Sequence, residues 1–327
     1  MAKGLRWGFL GAGGIAETIA TDFQLAGLKI QAVGTREIAN AHRFADTFKI
    51  PNRHHGYAAL VADPEVDAIY VSTPQTMHMR DALLAIEAGK HLLLEKPFTI
   101  NAKQAIAIQE AAERKGVFVM EAMWTRFLPS MVAVFDVIKA GTIGVPQYVH
   151  ADHSQFLPPT RAPRLWDPAL GGGALLDLGI YPISFAVRVL GLPAKVVARG
   201  VLTPLKLDEM TSMIFEYDNR TQAVLQTSMT VGGTITASVV GTLGRIELAG
   251  SFYEQTSFNV YDNTRALVKR YEEKVPGRGM QYQAIHMEEC IAAGLSQSPI
   301  MSLSESVAIM KVMDDIRSQT GVVYPGE

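Results

Sequence analysis

Gly11-Ala12-Gly13-Gly14-Ile15-Ala16 is the stretch on which the fold turns. It follows a short apolar run at 6–10 that reads as a strand, and it opens a run at 15–26 with helical spacing. Between a strand and a helix, G-x-G-x-x-(G/A) is the fingerprint of a dinucleotide-binding turn. Small residues let the backbone approach a pyrophosphate. The helix start supplies free N–H groups and the positive end of the helix dipole. A bare tight turn needs glycines too, but not the strand, the helix and the spacing together. Gly11, Gly13, Gly14, Ile15 and Ala16 are therefore candidate cofactor-binding residues.

Outward from that turn, the first third alternates. Strand-like runs at 29–34, 67–72, 91–94 and 117–121 are separated by helical runs at 38–48, 77–88 and 102–115. Such alternation predicts a parallel sheet with helices on both faces. Right-handed crossovers then bring every strand's carboxyl end to one edge. After about residue 125 the period changes. Helical runs at 128–140 and 173–190 and a strand-like run at 145–153 precede long alternating segments at 195–202, 210–217, 222–231, 235–241, 257–261 and 266–271. Turn residues such as Asp218-Asn219 and Gly232-Gly233 join them, which predicts a large, open, mostly antiparallel sheet. Helical runs at 282–293 and 303–319 close the chain. The expected architecture is α/β: a Rossmann dinucleotide-binding domain at 1–122, then an α+β domain at 123–327 for substrate binding and dimerisation.

Composition bounds the function. At 327 residues the chain exceeds one typical core. A net charge of −2 gives no reason to expect nucleic acid or an anionic membrane as partner. Cys290 is the only cysteine, so no intrachain disulfide can form, and its place in a helical run suggests a buried thiol. No apolar run approaches the roughly 20 residues that span a bilayer, and the first residues run directly into a strand. A cytoplasmic protein is the expectation. His150, Asp152 and His153 alternate on one strand and make no metal triad, so no metal is expected. His54 and His55 read as surface residues.

Further loops end strands on the fingerprint's edge. Gly34-Thr35-Arg36 lacks the acid that usually holds an NAD ribose. Arg36 offers a planar fork suited to a phosphate and Thr35 a hydroxyl, which favours NADP, with NAD possible as a second dinucleotide. Thr73-Pro74 with His78, Glu95-Lys96-Pro97 and Glu121-Ala122-Met123-Trp124 end the next strands. A lysine at such an edge, beside a cofactor, is a functional candidate. A structural salt bridge to Glu95 is the alternative.

The Glu95-Lys96-Pro97 triplet resembles the hallmark of the glucose–fructose oxidoreductase and inositol dehydrogenase family, Gfo/Idh/MocA, and the likeness runs along essentially the whole chain. It implies a cis Lys96-Pro97 bond that holds Lys96 at the nicotinamide. Gly171-Gly172-Gly173-Ala174-Leu175-Leu176-Asp177-Leu178-Gly179-Ile180-Tyr181 resembles the family's D-x-G-x-(H/Y) helix, with Tyr181 where many relatives carry histidine. Residues 120–127 and 313–319 look most like the dimeric dihydrodiol dehydrogenases and xylose dehydrogenases of that family. The resemblance implies catalytic Lys96, Tyr181 and Asp177. It implies a substrate surface that draws on Arg126, His153, Phe156 and Asp177, while Trp124 with Trp166 reads equally as an aromatic wall for a sugar or arene diol or as core packing. Loss of a hydride from an alcohol must be coupled to loss of its hydroxyl proton. A tyrosine of pKa about 10 needs nearby cations to act as a base, and Lys96 and an oxidised nicotinamide would supply them.

The expected function is an NADP-dependent dehydrogenase acting on a sugar or a trans-dihydrodiol. A carbonyl or anhydro-sugar reductase is the alternative within enzymes. A catalytically silent NADP-sensing regulator is the alternative outside them, disfavoured because Lys96, Asp177 and Tyr181 are all present. The open sheet should bury a face in a homodimer, or in a dimer of dimers. Ala223, Leu225, Thr227 and Met229 share one face of their strand, so charge at Met229 or Thr227 is expected to break that assembly.

Overall fold

Burial in the first strand explains its place at the centre. Trp7, Phe9 and Leu10 have no exposed surface, as expected of a strand covered on both faces. In the computed structural model, which describes residues 4–325 and 327, this strand β1 (Arg6–Leu10) is joined by β2 (Lys29–Thr35), β3 (Asn52–His55), β4 (Ala68–Val71), β5 (His91–Glu95) and β6 (Val119–Ala122). All pairings are parallel, in the order β3-β2-β1-β4-β5-β6. That is the doubly wound order, with its reversal between β1 and β4. Helices α1 (Gly14–Ala26), α2 (Ile38–Phe48), α3 (Tyr57–Val61), α4 (His78–Glu87) and α5 (Ala102–Lys115) connect the strands. Phe9, Phe23 and Phe44 meet with ring centroids 5.6–5.8 Å apart, packing α1 and α2 on the sheet.

The second unit opens with α6 (Pro129–Lys139), β7 (Pro146–Ser154) and α7 (Ile180–Leu190). Then follow β8 (Lys195–Leu202), β9 (Asp208–Glu216), β10 (Gln222–Ser228), β11 (Ala237–Gly241), β12 (Gly244–Leu248), β13 (Phe258–Asp262) and β14 (Leu267–Tyr271). They form one sheet, ordered β14-β13-β12-β11-β7-β10-β9-β8. It is antiparallel except where β10 runs parallel to β7. Register gives the two faces distinct characters. Val196, Phe215, Ala223, Val149, Val239, Ile246 and Val260 line up across the strands and are all buried. The offset row, Val197, Ile214, Val224, His150 and Ser238, is partly exposed. Helix α7 packs on β7 and β10.

The chain then returns. Helix α8 (Gln281–Ala292) packs on α1, and the division between the units falls within α9 (Leu303–Thr320). Pro276–Val307 thus belongs with the residues up to Phe127, and Leu128–Val275 with Ala308–Glu327. The single boundary after residue 122 expected from the sequence is replaced by one after Phe127 and a second excursion. The reason is local: the Asp22 carboxylate accepts the Met280 N–H at 2.8 Å, and the Trp7 indole donates to Glu288 at 2.8 Å. Glu288 and Asp22 look like ordinary surface acids in the sequence.

Other differences are of the same kind. Strand β3 and helix α3 were not expected, because Asn-Arg-His-His is a polar edge strand without alternation. His54 is paired with Asp63 at 2.8 Å, while His55 is exposed as expected. Strand β12 also went unread, although Ile246 and Leu248 alternate with Arg245 and Glu247. The helix expected over 173–190 begins instead as a wider π turn, Leu175–Gly179. The stretch Pro168–Leu190 is in fact long and apolar enough to span a membrane, but its most apolar window is 78% buried within the unit, as in a core helix.

Candidate active site

In the first unit, every loop singled out in the sequence lies at the carboxyl edge of the parallel sheet. Gly11 has φ of 105°, and a Cβ there would sit 2.8 Å from the Ser72 hydroxyl, so only glycine fits between β1 and β4. Around Gly13 and Gly14 a Cβ would meet nothing within 4 Å. No side chain caps the start of α1. Open backbone with free N–H groups is what a pyrophosphate requires. Ile15 is 39% exposed beside it, while Ala16, on the inner face of α1, is fully buried.

Beyond these glycines lies a pocket of about 240 Å³, lined by Arg36, Glu37, Asn40, Arg43 and Tyr57 as well as the turn itself. Arg36 and Tyr57 line it together, and burial pushes the Tyr57 pKa up against the smaller downward pull of the guanidinium. Arg43 has no ion pair among the described residues. Two guanidiniums at one small pocket suit a phosphate. The Thr35 hydroxyl, expected to help, is 5% exposed and donates to the Glu37 carbonyl at 2.6 Å. No motif marks Arg43 or Tyr57. A larger cavity, about 530 Å³, lies by the starts of β5 and β6, at the opposite edge, and includes His91 and Phe118.

The loops that follow β4 and β5 are tied together. The His78 ring is buried, with Nε2 at 3.0 Å from the Thr73 carbonyl and Nδ1 at 2.9 Å from the Pro97 carbonyl. Burial pushes its pKa down, against the pull of those carbonyls. Both ring nitrogens are thus engaged by backbone, so His78 positions Thr73-Pro74 and Lys96-Pro97. The Thr73 hydroxyl donates to Asp81 at 2.7 Å. The Lys96-Pro97 bond is cis, as the resemblance implied. Glu95 is buried and accepts from the Tyr70 hydroxyl at 2.6 Å and from the Lys96 N–H at 3.1 Å. Glu121 accepts the Phe98 N–H at 3.0 Å and the Ser306 hydroxyl at 2.8 Å. Burial pushes the Glu121 pKa up to about 7. Lys96 itself is half-buried.

Trp124 and Arg126, expected at the substrate, are both buried in this unit. The Arg278 guanidinium lies over the Trp124 ring, 5.4 Å from its centroid. Arg126 donates to the Ile300 carbonyl at 3.0 Å and pairs with Glu305 at 2.8 Å. Both are therefore engaged in holding the returning segment.

In the second unit, the π turn carries Asp177, and Tyr181 follows in the first turn of α7. Single π turns inside helices recur at functional sites because they re-aim side chains. Tyr181 is 6% exposed and packs against two rings, His153 at 5.1 Å and Tyr253 at 4.9 Å between centroids. His153 and Tyr253 stack at 4.2 Å, and the Gln155 amide reaches both. Asp177 accepts from Arg164 at 3.0 Å. Phe156 is 60% exposed. Trp166 donates to the Leu157 carbonyl and packs against the buried cluster of Leu165, Ala174, Leu178 and Met229. Tyr253, Gln155 and Arg164 were not foreseen, since no motif marks them. Asp152, next to His153, accepts from Ser154 at 2.5 Å and from the Ile235 N–H at 3.1 Å, anchoring a loop. Among the described residues no cluster of acids, histidines or cysteine is built to hold a metal.

A parallel dinucleotide-binding sheet with an open glycine turn, followed by a large open antiparallel sheet, defines a two-domain nicotinamide-dependent oxidoreductase. Residues 5–123 match an oxidoreductase family with an NAD-binding Rossmann fold, and residues 131–247 match the GFO/IDH/MocA C-terminal domain. The chain belongs to the Gfo/Idh/MocA oxidoreductase family. It is 32% identical to the trans-1,2-dihydrobenzene-1,2-diol dehydrogenase of Xenopus tropicalis, over 98% of this chain and 99% of that protein. Its fold matches that of an aldose-aldose oxidoreductase from Caulobacter crescentus, with a TM-score of 0.88 and 22% identity over 98% of each chain. It also matches a 3-ketoreductase from Actinomadura kijaniata, solved with NADP and TDP-benzene, with a TM-score of 0.82 and 24% identity over 97% of this chain and 98% of that one.

Proposed function

We propose that this oxidoreductase interconverts a secondary alcohol and its carbonyl on a sugar or a trans-dihydrodiol, with NADP preferred over NAD and Tyr181 moving the proton. The observation that carries the reading is the setting of Tyr181. It is a phenol held between His153 and Tyr253, one turn beyond Asp177 on an interrupted helix. The full-length similarity to a dihydrodiol dehydrogenase supports the substrate class.

A nicotinamide dinucleotide supplies the hydride chemistry when bound. The chain's part is to hold it and to handle the proton. Gly11, Gly13 and Gly14 with the start of α1 would cradle the pyrophosphate. Arg36 and Arg43 would take the 2′-phosphate that distinguishes NADP. Tyr181 gives its phenolic proton to the developing alkoxide in reduction and takes it back in oxidation. The family resemblance would put Lys96 at the nicotinamide, and Asp177 with Arg164 would orient substrate hydroxyls. The same proton bookkeeping serves a carbonyl reductase, so the direction of use is set by substrate supply.

The test is Tyr181→Phe, which keeps the ring and removes the proton. General acid–base groups contribute about 10²–10⁴-fold. Turnover of trans-1,2-dihydrobenzene-1,2-diol is expected to fall on that scale with NADP affinity near that of the unmodified enzyme. Lys96→Met is expected to lose at least as much. A Tyr181→Phe enzyme that keeps most of its turnover would reject the assignment.

A further inference from the structure

One buried carboxyl group in the second unit is left unexplained by the proton-transfer scheme. Asp208, the first residue of β9, has no exposed surface. Its Oδ2 accepts the Leu175 N–H at 2.7 Å and the Thr211 hydroxyl at 3.3 Å. Leu175 opens the π turn that bears Asp177 and leads into Tyr181. Oδ1 has no hydrogen-bond partner. It lies so close to Gly173 that a Cβ there would come within 2.3 Å, and Gly173 has φ of 105°. One residue earlier, the Gly172 carbonyl accepts the Tyr324 hydroxyl at 2.9 Å.

A neutral Ser, Thr or Asn would satisfy a helix start as well as an acid does, at far lower desolvation cost. Here a carboxyl group is buried without an ion pair among the described residues, and glycine is required at 173 to admit it. Burial pushes its pKa up to about 7, against the amides of Leu175 and Ala174 and the Thr211 hydroxyl, which favour the anion. We propose that Asp208 is a positioning residue for catalysis, gripping the start of the helical segment that aims Tyr181 and tightening that grip when it ionises.

The physical basis is the contrast between its two states. An ionised oxygen accepting an amide at a helix start makes a charge-assisted bond, roughly twice as strong as a neutral one, and also favours the helix dipole. Protonation weakens both, and leaves the segment held by the Thr227 hydroxyl, which reaches the Ala174 carbonyl at 3.5 Å and the His153 carbonyl at 3.1 Å. The other titratable groups around the site are few. Tyr324 has its own pKa raised by burial and by Asp208, and Arg317 and Glu327 pair beyond it. Asp177 lies within the turn.

This inference rests on the assignment of Tyr181, and the experiment separates the two. The full-length enzyme is compared with Asp208→Asn, Gly173→Ala and Thr211→Val, using the dihydrobenzenediol and NADP between pH 6 and 9. Asp208→Asn keeps the shape and loses the charge. Its kcat is expected to fall about tenfold, the scale of one charge-assisted bond, with the KM for NADP unchanged. The kcat profile of the unmodified enzyme is expected to show an ionisation near neutrality that Asp208→Asn lacks. Gly173→Ala displaces the carboxyl group and is expected to lower kcat on the same scale. Thr211→Val removes a donor to the anion, so it should move the ionisation to higher pH, and it reports even where the other variants fold poorly. Unchanged kcat and unchanged pH profile in folded Asp208→Asn, or no shift in Thr211→Val, overturns the proposal. Loss of turnover in Tyr181→Phe without these effects removes only the role of Asp208. Full turnover in Tyr181→Phe removes the reading on which it stands.

Discussion

Arg36 and Arg43 show how a residue's meaning depends on what lies opposite it. Arg36 was legible in the sequence because it stands where an NAD-specific turn would place an acid. Arg43 was not, since an arginine in the middle of an amphipathic helix reads as a solvated face. Only the fold brings it to the pocket that Arg36 and Tyr57 share. If that pocket takes the 2′-phosphate, Arg36→Asp should weaken NADP binding by roughly 10- to 150-fold, the worth of about 1.5–3 kcal/mol for a charge-assisted contact. NAD binding should change little. Fluorescence titration with both cofactors measures this directly, and equal losses for the two would reject the phosphate contact. Arg43→Ala is expected to show the same selectivity, because its guanidinium lines the same pocket.

At the scale of elements, Glu121 couples the end of β6 to the segment after Lys96-Pro97 and to the start of α9. Its proton has consequences for stability. In the unfolded chain a glutamate releases its proton near 4.5, and in the folded unit burial holds it up to about 7. The folded state therefore carries the extra proton between those values. Stability from this group is fully present below the lower value and is lost as pH rises through the upper one, by an amount on the order of 1–3 kcal/mol. Arg126 pulls the pKa back down and Glu305 pushes it up, so both temper the window. Glu121→Gln cannot titrate, and melting curves between pH 5 and 8 should show a flatter dependence than the unmodified enzyme. An identical slope would show that Glu121 is ionised throughout. The sequence revealed that Glu121 ends a strand at the active edge, but not that it is a buried proton holder. Periodicity records which strands are covered on both faces, and so it located β1, β2, β4, β5 and β6. It is silent where pairing is polar, as in β3. It is equally silent where two distant segments supply each other's hydrogen bonds, as Asp22 does for 278–280. The same limit hid Tyr253, which reaches Tyr181 only through the fold of the second sheet.

At the scale of the whole molecule the open sheet remains the main question, and its register corrects the expected site of assembly. Thr227 and Met229 are fully buried. Thr227 faces Gly179, and Met229 belongs to the cluster with Leu165, Ala174 and Leu178. Charge at either position should therefore unfold the second unit instead of separating subunits, because an unpaired buried charge costs several kcal/mol. The face available to a second copy is the other one. There Val197, Ile214 and Val224 lie side by side across β8, β9 and β10, with Ile214 40% exposed, and His150 and Ser238 continue the row. An apolar row flanked by Gln222, Gln226 and Ser212 is the mixed surface that a twofold sheet-to-sheet contact can bury. A homodimer through this face is expected, and Ile214→Asp with Val224→Lys should dissociate it while the melting of each unit is preserved. Sedimentation at micromolar concentration distinguishes the cases. A stable monomer in the unmodified enzyme would remove the dimer altogether. A dimer that survives both substitutions would move the interface to another surface.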